Sequence, residues 1–196
     1  MKKKIRKKSS RNQRMRKKYR KLTNLVFDIL LGISISLFLF LLVGRIFFSI
    51  HKVDDNSMYP LLKKENKMIV RRGKTKINRF DIIAFKNGSK IEFRRVIGLP
   101  KERVKYEDDY LTINDELVDE KFIIDQINEY GKKSEVYTRS KQGENGFQMN
   151  EIPRNYYLVL GDNRPNATDS RQYGLVSKDK IIGKSSLMLS PLRTIK

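Results

Sequence analysis

The sequence predicts a mainly β domain that follows a single N-terminal transmembrane helix. Three observations predict this fold class: one uncharged apolar run near the N-terminus, a later series of short apolar or β-branched runs separated by turn signals, and almost no helical periodicity in that later part. The chain has 196 residues. About 145 of them remain for the domain, which is enough to bury a core. There is no cysteine, so disulfides and cysteine-based sites are excluded.

Residues 1–21 form a basic tail with thirteen Lys or Arg residues and no acidic residue. The tail has no apolar periodicity, so we expect it to be disordered in water. It also carries much of the net charge of +21, because the rest of the chain has a basic surplus of only eight. The charge therefore indicates a topogenic tail that contacts anionic lipid, and no nucleic-acid partner is expected.

Residues 22–50 are predicted to be a transmembrane anchor. The uncharged stretch Ile29–Val43 would span about 22 Å as a helix, and extension to Phe48 lets Arg45 reach one interface. A cleaved signal peptide is disfavoured because no small-residue cleavage site follows, and a surface helix is disfavoured because the run lacks a polar face. The basic tail then predicts a cytoplasmic N-terminus, with residues 51–196 on the extracytoplasmic side of the cell membrane.

Residues 51–196 are predicted to form antiparallel β structure. The predicted strands are Lys67–Val70, Asp81–Phe85, Ile91–Ile97, Tyr110–Ile113, Tyr156–Leu160 and Ile181–Leu189. Turn signals between them are Asn87-Gly88, Asn114-Asp115 and Gly161-Asp162. One weak helical period lies at Asp119–Gln126. Residues 101–153 are more polar and separate the motifs described next, so we interpret them as a smaller inserted cap.

Three motifs suggest the chemistry of this domain. They are Ser57-Met58-Tyr59-Pro60, then Arg94-Arg95-Val96-Ile97-Gly98-Leu99-Pro100, and then Gly161-Asp162-Asn163-Arg164 running on to Asp169-Ser170-Arg171-Gln172-Tyr173-Gly174. In this order, after one apolar segment, they resemble type I signal peptidases, which are membrane-anchored serine peptidases with a Ser/Lys dyad. The resemblance implies a signal-peptidase-like antiparallel β-sheet core with a small cap, no cofactor or metal, and signal-peptide-bearing precursors as partners.

The resemblance also implies a role for individual residues. Ser57 takes the place of the nucleophile, Met58 neighbours it and Pro60 shapes the turn. In the third motif Asp169 and Arg171 are expected to pair and brace the site. Asp162 and Ser170 match the same motif and complete the set of site-shaping residues.

Four positions depart from the family pattern: Leu61 follows the proline where the family usually has Thr, and the other three are expected at the same small site. Arg94 stands where the family has its catalytic lysine, Ala167 replaces a serine that hydrogen-bonds that lysine, and Asp55 replaces a Gly or Ser beside the oxyanion hole. A charged guanidinium has no acceptor atom, and holding an arginine neutral at pH 7 would cost on the order of 7 kcal/mol. Arg94 therefore occupies the general-base position without being able to act as the base.

Two other residues are candidates for the missing base, and neither is well placed. Lys90 would lie about 13 Å from Arg94 along a regular strand. His51, the only histidine, lies up to roughly 20 Å from Ser57 along the chain and at the membrane boundary. We instead expect the Arg94 guanidinium to pair with the Asp55 carboxylate, either directly or in competition with Asp169.

Two functions remain open. The first is a signal-peptidase-like protein with lost or weak activity that supports secretion or pilus assembly, since degenerate family members occur beside pilin genes in some Gram-positive bacteria; pilin subunits are then candidate partners. The second is an active signal peptidase that uses Ser57 with an unusual activator. A third hypothesis, a membrane-tethered β domain with a tail that binds lipid or nucleic acid, is weaker.

Overall fold

The computed structural model describes residues 2–73, 75–141, 143–189 and 192–194. The first compact unit, which ends at Ile46, is formed by helix α1, Lys2–Phe47. Within it, Arg20–Phe47 is long and apolar enough to cross a membrane, judged by length and composition. The expectation that the basic tail is disordered is wrong for residues 2–21, which are helical. The reason is local: Lys, Arg, Gln and Met are good helix formers, and no Gly or Pro precedes Gly32.

The second compact unit contains two antiparallel β-sheets. Its strands are β1 Phe48–Lys52, β2 Lys67–Arg72, β3 Ile82–Asn87, β4 Lys90–Gly98, β5 Val104–Glu107, β6 Tyr110–Ile113, β7 Glu116–Val118, β8 Gly146–Met149, β9 Tyr156–Leu160, β10 Val176–Ser177, β11 Ile181–Leu189 and β12 Leu192–Thr194. Helices α2, Ile124–Gly131, and α3, Ser170–Tyr173, complete the unit. The mainly β fold predicted from the sequence is confirmed.

The larger, eight-stranded sheet has the order β1-β2-β11-β3-β4-β9-β10, and β12 pairs with β11. Strand β1 begins directly after α1, so the predicted anchor range 22–50 extends into this sheet. All six strands predicted from the sequence are present, with ends that differ by at most two residues. In the centre of the sheet, β4 pairs with β3 on one side and β9 on the other, which places the second and third motifs side by side.

The smaller, four-stranded sheet has the order β7-β6-β5-β8 and lies within residues 101–153. Its two hairpins turn at Asp108-Asp109 and Asn114-Asp115, and all four residues have positive φ, the conformation that Asn and Asp tolerate best among non-glycine residues. Sequence reasoning recognised the second turn and missed the first. The weak helical period at Asp119–Gln126 corresponds to a 3-10 turn at Lys121–Ile123 that continues into α2.

Candidate active site

Ser57 lies in the loop between β1 and β2, and its residue surface is only 4% exposed. The next residue, Met58, is completely buried in the core beneath the larger sheet, while Pro60 is exposed and follows a cis Tyr59–Pro60 bond. The Ser57 carbonyl accepts a hydrogen bond from the Asn163 backbone N–H at 2.9 Å. The first and third motifs are therefore in direct contact, although about a hundred residues separate them.

Gly161 allows this close contact. A Cβ at this position would lie 2.4 Å from the Ala167 Cβ and 2.5 Å from the Ser57 carbonyl oxygen. Ala167 itself is buried, so it lines the floor of the same small space. Packing, and not backbone conformation, requires a glycine here. The φ of Gly161 is not in the left-handed region, so the close contacts are what exclude a side chain.

Arg94 is part of β4, opposite Ile83 of β3, and is only 1% exposed. Its Nε donates to the Thr168 carbonyl at 2.9 Å and its Nη1 to the Phe93 carbonyl at 2.7 Å. Its Nη2 donates to Asp55 Oδ2 at 2.8 Å. The guanidinium is thus fixed by three directed hydrogen bonds, and the direct pairing with Asp55 expected from the sequence is present.

Asp55 links this arginine to the serine. Its Oδ1 accepts the Ser57 backbone N–H at 2.9 Å while its Oδ2 accepts from Arg94. Partial burial would raise the pKa of the Asp55 carboxyl, but the Arg94 charge and the hydrogen bonds from Ser57 outweigh it and hold that pKa below its ordinary value of 3.8. At neutral pH the Asp55 carboxylate is therefore charged. It accepts the backbone N–H of Ser57, the same residue that carries the hydroxyl.

A second carboxylate lies close to the same guanidinium nitrogen, Nη2. Glu92 Oε2 is 3.1 Å from Arg94 Nη2, close enough for an ion pair but outside hydrogen-bond geometry, and it is buried without another partner. The Tyr173 hydroxyl is also buried without a hydrogen-bond partner, and burial raises the pKa of Tyr173, an effect that the nearby Arg94 charge opposes. Arg94 therefore has two acidic partners, and the sequence analysis identified only one of them.

The third motif is braced by Asp169, as expected. Asp169 is fully buried and accepts two hydrogen bonds from the Arg171 guanidinium, at 2.9 and 2.8 Å, and one from the Gly161 N–H at 3.0 Å. Ser170 Oγ accepts the Val159 N–H at 3.0 Å and so ties the loop to β9. Because Asp169 is committed to Arg171, it does not compete with Asp55 for Arg94.

Two further arginines hold the site in place, and the sequence analysis gave neither a role. Arg95 forms a bidentate pair with Asp162, at 2.8 and 2.6 Å, and both side chains are almost fully buried. Arg164 pairs with Glu120 beside the small sheet and also donates to the Gly161 carbonyl. The sequence signal for a role of these arginines is their position, since Arg95 lies in the second motif and Arg164 in the third. Their partners could not be read from local spacing.

The acceptor beside Ser57 is the Asp55 carboxylate, not a lysine or a histidine. Among the described residues, no hydrogen bond joins Ser57 to a lysine or histidine side chain. Lys90 is exposed at the far end of β4, beside the turn to β3, and the His51 ring pairs with the Ser49 hydroxyl at 2.9 Å. In the described part of the chain, no group of three or more His, Asp or Glu side chains could hold a metal ion. The arrangement brings together a buried serine, a fixed guanidinium and a carboxylate that accepts the backbone N–H of that serine.

Comparisons with known proteins show to which family the chain belongs. The family model described as "Signal peptidase, peptidase S26" matches residues 26–190. The chain belongs to this signal peptidase family. Among its relatives, signal peptidase I T of Bacillus subtilis (strain 168) is 32% identical over 95% of this chain and 96% of its own length. Signal peptidase IB of Staphylococcus aureus (strain COL) is 28% identical over 87% of this chain and 93% of its own length.

A solved signal peptidase structure supports the same assignment. The crystal structure of a signal peptidase I from Enterococcus faecalis V583 matches with a TM-score of 0.50 and 36% sequence identity, and it covers 57% of this chain and 98% of that chain. Signal peptidase I relatives are membrane proteins, in agreement with the one apolar helix found near the N-terminus. The family resemblance read from the three motifs is therefore confirmed.

Proposed function

We propose that this signal-peptidase-family protein binds exported, signal-peptide-bearing precursors at the outer face of the membrane and has lost all or most of its peptidase activity. One observation supports this best: the cation at the general-base position is an arginine held by Asp55, and the same carboxylate accepts the Ser57 N–H. The base and the oxyanion donor are thus altered together, while the surrounding scaffold keeps the family fold.

The chemistry that is missing can be stated step by step. For a serine to attack a peptide carbonyl, its hydroxyl proton must pass to a neutral acceptor. Arg94 offers only donors, and all three of its guanidinium nitrogens already donate. The developing oxyanion then needs free donors, but Asp55 places a negative charge on the Ser57 N–H. A carboxylate there opposes the electrostatic term that usually contributes most to catalysis.

We further propose that the retained domain acts as a binding scaffold in secretion, with pilus assembly as its specific setting and pilin subunits as its partners. A non-catalytic scaffold needs the surface that binds the precursor but not the Ser/Lys dyad. The ion pairs that support the site, Arg95–Asp162 and Arg171–Asp169, are present, in agreement with such a role. Deleting the gene and restoring it with the Ser57→Ala form tests this role. Full recovery of surface pilin polymers is expected, and no recovery with the variant would contradict the proposal.

An active signal peptidase is the alternative, and the positions of two groups favour it. Ser57 occupies the nucleophile position beside Gly161, and the Asp169–Arg171 pair braces the loop next to it. In this case either the Asp55 carboxylate, which already accepts from Ser57, or a group outside Ser57's present hydrogen bonds has to take the proton.

Cleavage of a model precursor by the purified full chain in detergent distinguishes the two. We expect no Ser57-dependent product from the natural sequence. The triple variant Arg94→Lys, Ala167→Ser and Asp55→Gly should cleave, because it supplies a titratable base, its partner and a free oxyanion donor. Adding Ser57→Ala to the triple variant is the matched control and should abolish the gain. Cleavage by the natural sequence at the rate of an ordinary relative, lost on Ser57→Ala alone, would establish the alternative instead.

The pH profile of the triple variant gives a finer test. The Glu92 carboxylate would remain close to the introduced lysine and favour its charged form, so activity should appear only at alkaline pH. Replacing Glu92 by Gln in that background should move the rise in kcat/KM to lower pH. An unchanged profile would show that Glu92 does not act on residue 94.

A further inference from the structure

A basic cavity of about 480 Å³ lies against the larger sheet, and Ser57 is not among its lining residues. Four basic side chains line it: His51 of β1, Arg72 of β2, Lys86 of β3 and Lys180 before β11. Asp179 is the single acidic residue in the lining. Since His51, Arg72 and Lys86 come from three strands and Lys180 directly precedes a fourth, the sheet itself brings the basic side chains together.

The cations of this cavity have no partner within the described residues. Arg72, Lys86 and Lys180 are exposed and take part in no ion pair or side-chain hydrogen bond there. Most other carboxylates near the larger sheet are already committed; for example, Asp81 pairs with Lys184 and Glu65 with Lys52. Three cations face a single carboxylate, Asp179, in this lining, so the cavity keeps an excess of positive charge that attracts an anion from solution.

The behaviour of His51 agrees with a positive potential in the cavity. Partial burial and the nearby Arg72 charge lower the pKa of the His51 imidazole, so the ring is neutral at pH 7. Its Nε2 pairs with Ser49. The charged groups that face the ring across the cavity are Arg72, Lys86, Lys180 and Asp179. An anion bound among them would reverse this effect and raise the His51 pKa.

The rest of the lining indicates what kind of anion fits. Ile91, Ile181 and Ile182 are half-buried and form an apolar part of the wall. His51 follows the end of α1 at Phe47 by four residues, so it lies within roughly 14 Å of the point where the apolar helix stops. A ligand with a negative head and an apolar stem, located at the membrane surface, matches both features.

We propose that this cavity binds a phosphate-bearing anion, the headgroup of an anionic membrane phospholipid. The Arg and Lys side chains contact the phosphate and the isoleucines contact the glycerol and upper acyl carbons. The site would fix the domain at the lipid surface, independently of whether Ser57 is active. Binding should weaken with rising salt, because exposed charges are screened.

Because His51 is the only histidine, its imidazole resonance reports directly on the cavity. The full chain, labelled with ¹³C-histidine, is placed in phosphatidylcholine nanodiscs and titrated with short-chain phosphatidylglycerol, short-chain phosphatidylcholine or inorganic phosphate. Phosphatidylglycerol should shift the resonance and raise the midpoint of its pH titration by about 0.5–1 pH unit. A response to inorganic phosphate at the same concentration would keep the phosphate site but assign free phosphate as its ligand.

Charge variants decide whether the cavity itself is responsible. The double variant Arg72→Gln and Lys180→Gln should bind phosphatidylglycerol roughly 25-fold more weakly, about fivefold for each cation removed. Lys101→Gln, an exposed lysine outside the cavity lining, is the control and should bind as the natural chain does. An absent His51 response, an equal response to phosphatidylcholine, or equal weakening in the control would overturn the proposal.

Discussion

The ion pair between Asp55 and Arg94 is expected to stabilise the folded domain, and we call this pair the structural lock. Removing the two charges, singly and together, tests it. The matched changes are Asp55→Asn, which keeps an oxygen for the Ser57 N–H, and Arg94→Met, which keeps much of the side-chain volume. Each single variant and the double variant should be compared with the natural chain, and Asp54→Asn, an exposed neighbour, serves as the control.

The magnitude follows from burial and from the bonds lost. Arg94 is almost fully buried and has three hydrogen bonds, so its replacement should cost about 2–4 kcal/mol. Asp55 is 43% exposed, so solvent screens its attraction, and Asp55→Asn should cost about 1–2 kcal/mol. The double variant should cost about 1–2 kcal/mol less than the sum, because the second change removes a charge whose partner is already absent.

Thermal unfolding of the full chain in detergent, followed by the near-ultraviolet circular dichroism of its tyrosines, measures these costs. A domain of this size loses about 2–4 °C in Tm per kcal/mol. The control should stay within about 0.5 kcal/mol of the natural chain. Additive losses, with a coupling below about 0.5 kcal/mol, would refute the lock.

The pH dependence has a definite sign. The folded-state pKa of Asp55 lies below 3.8, its ordinary value, so its contribution to stability is fully present above that value. The coupling energy should therefore stay constant from pH 7 to pH 5 and fall only as pH drops through the lowered pKa. A coupling already lost at pH 5 would mean that another group is responsible.

Two further predictions concern topology and the cap. Protease added to intact protoplasts should digest residues 51–196 and spare the basic tail, because thirteen cations precede the anchor; a protected domain would reverse the orientation. Glu120→Ala should destabilise the β domain by about 3–5 kcal/mol, because it leaves the buried Arg164 without its carboxylate. Glu116→Ala on the exposed face of β7 is the control, and equal Tm values for the two variants would show that the buried pair contributes nothing.

Local patterns in the sequence predicted most of the individual elements. Strand β9, Tyr156–Leu160, was predicted with its observed ends, since a short apolar run beside Gly161-Asp162 has few other solutions. Strand β5 was not predicted, although Val104-Lys105-Tyr106-Glu107 alternates between buried and exposed positions. The reason is that the whole polar region 101–153 was interpreted as one inserted cap. The helix over residues 2–21 was missed because charge was given more weight than helix propensity.

The sequence by itself determined the family, the apolar helix and the type of residue at each altered position, since these follow from composition and from the order of the motifs. It also raised the pairing of Arg94 with Asp55 as a hypothesis. Only the tertiary structure decided between Asp55 and Asp169 as the partner, because Asp169 is held by Arg171. The Arg94–Asp55 contact joins strand β4 to a loop 39 residues earlier in the chain, so strand pairing and burial fix it and local sequence pattern does not.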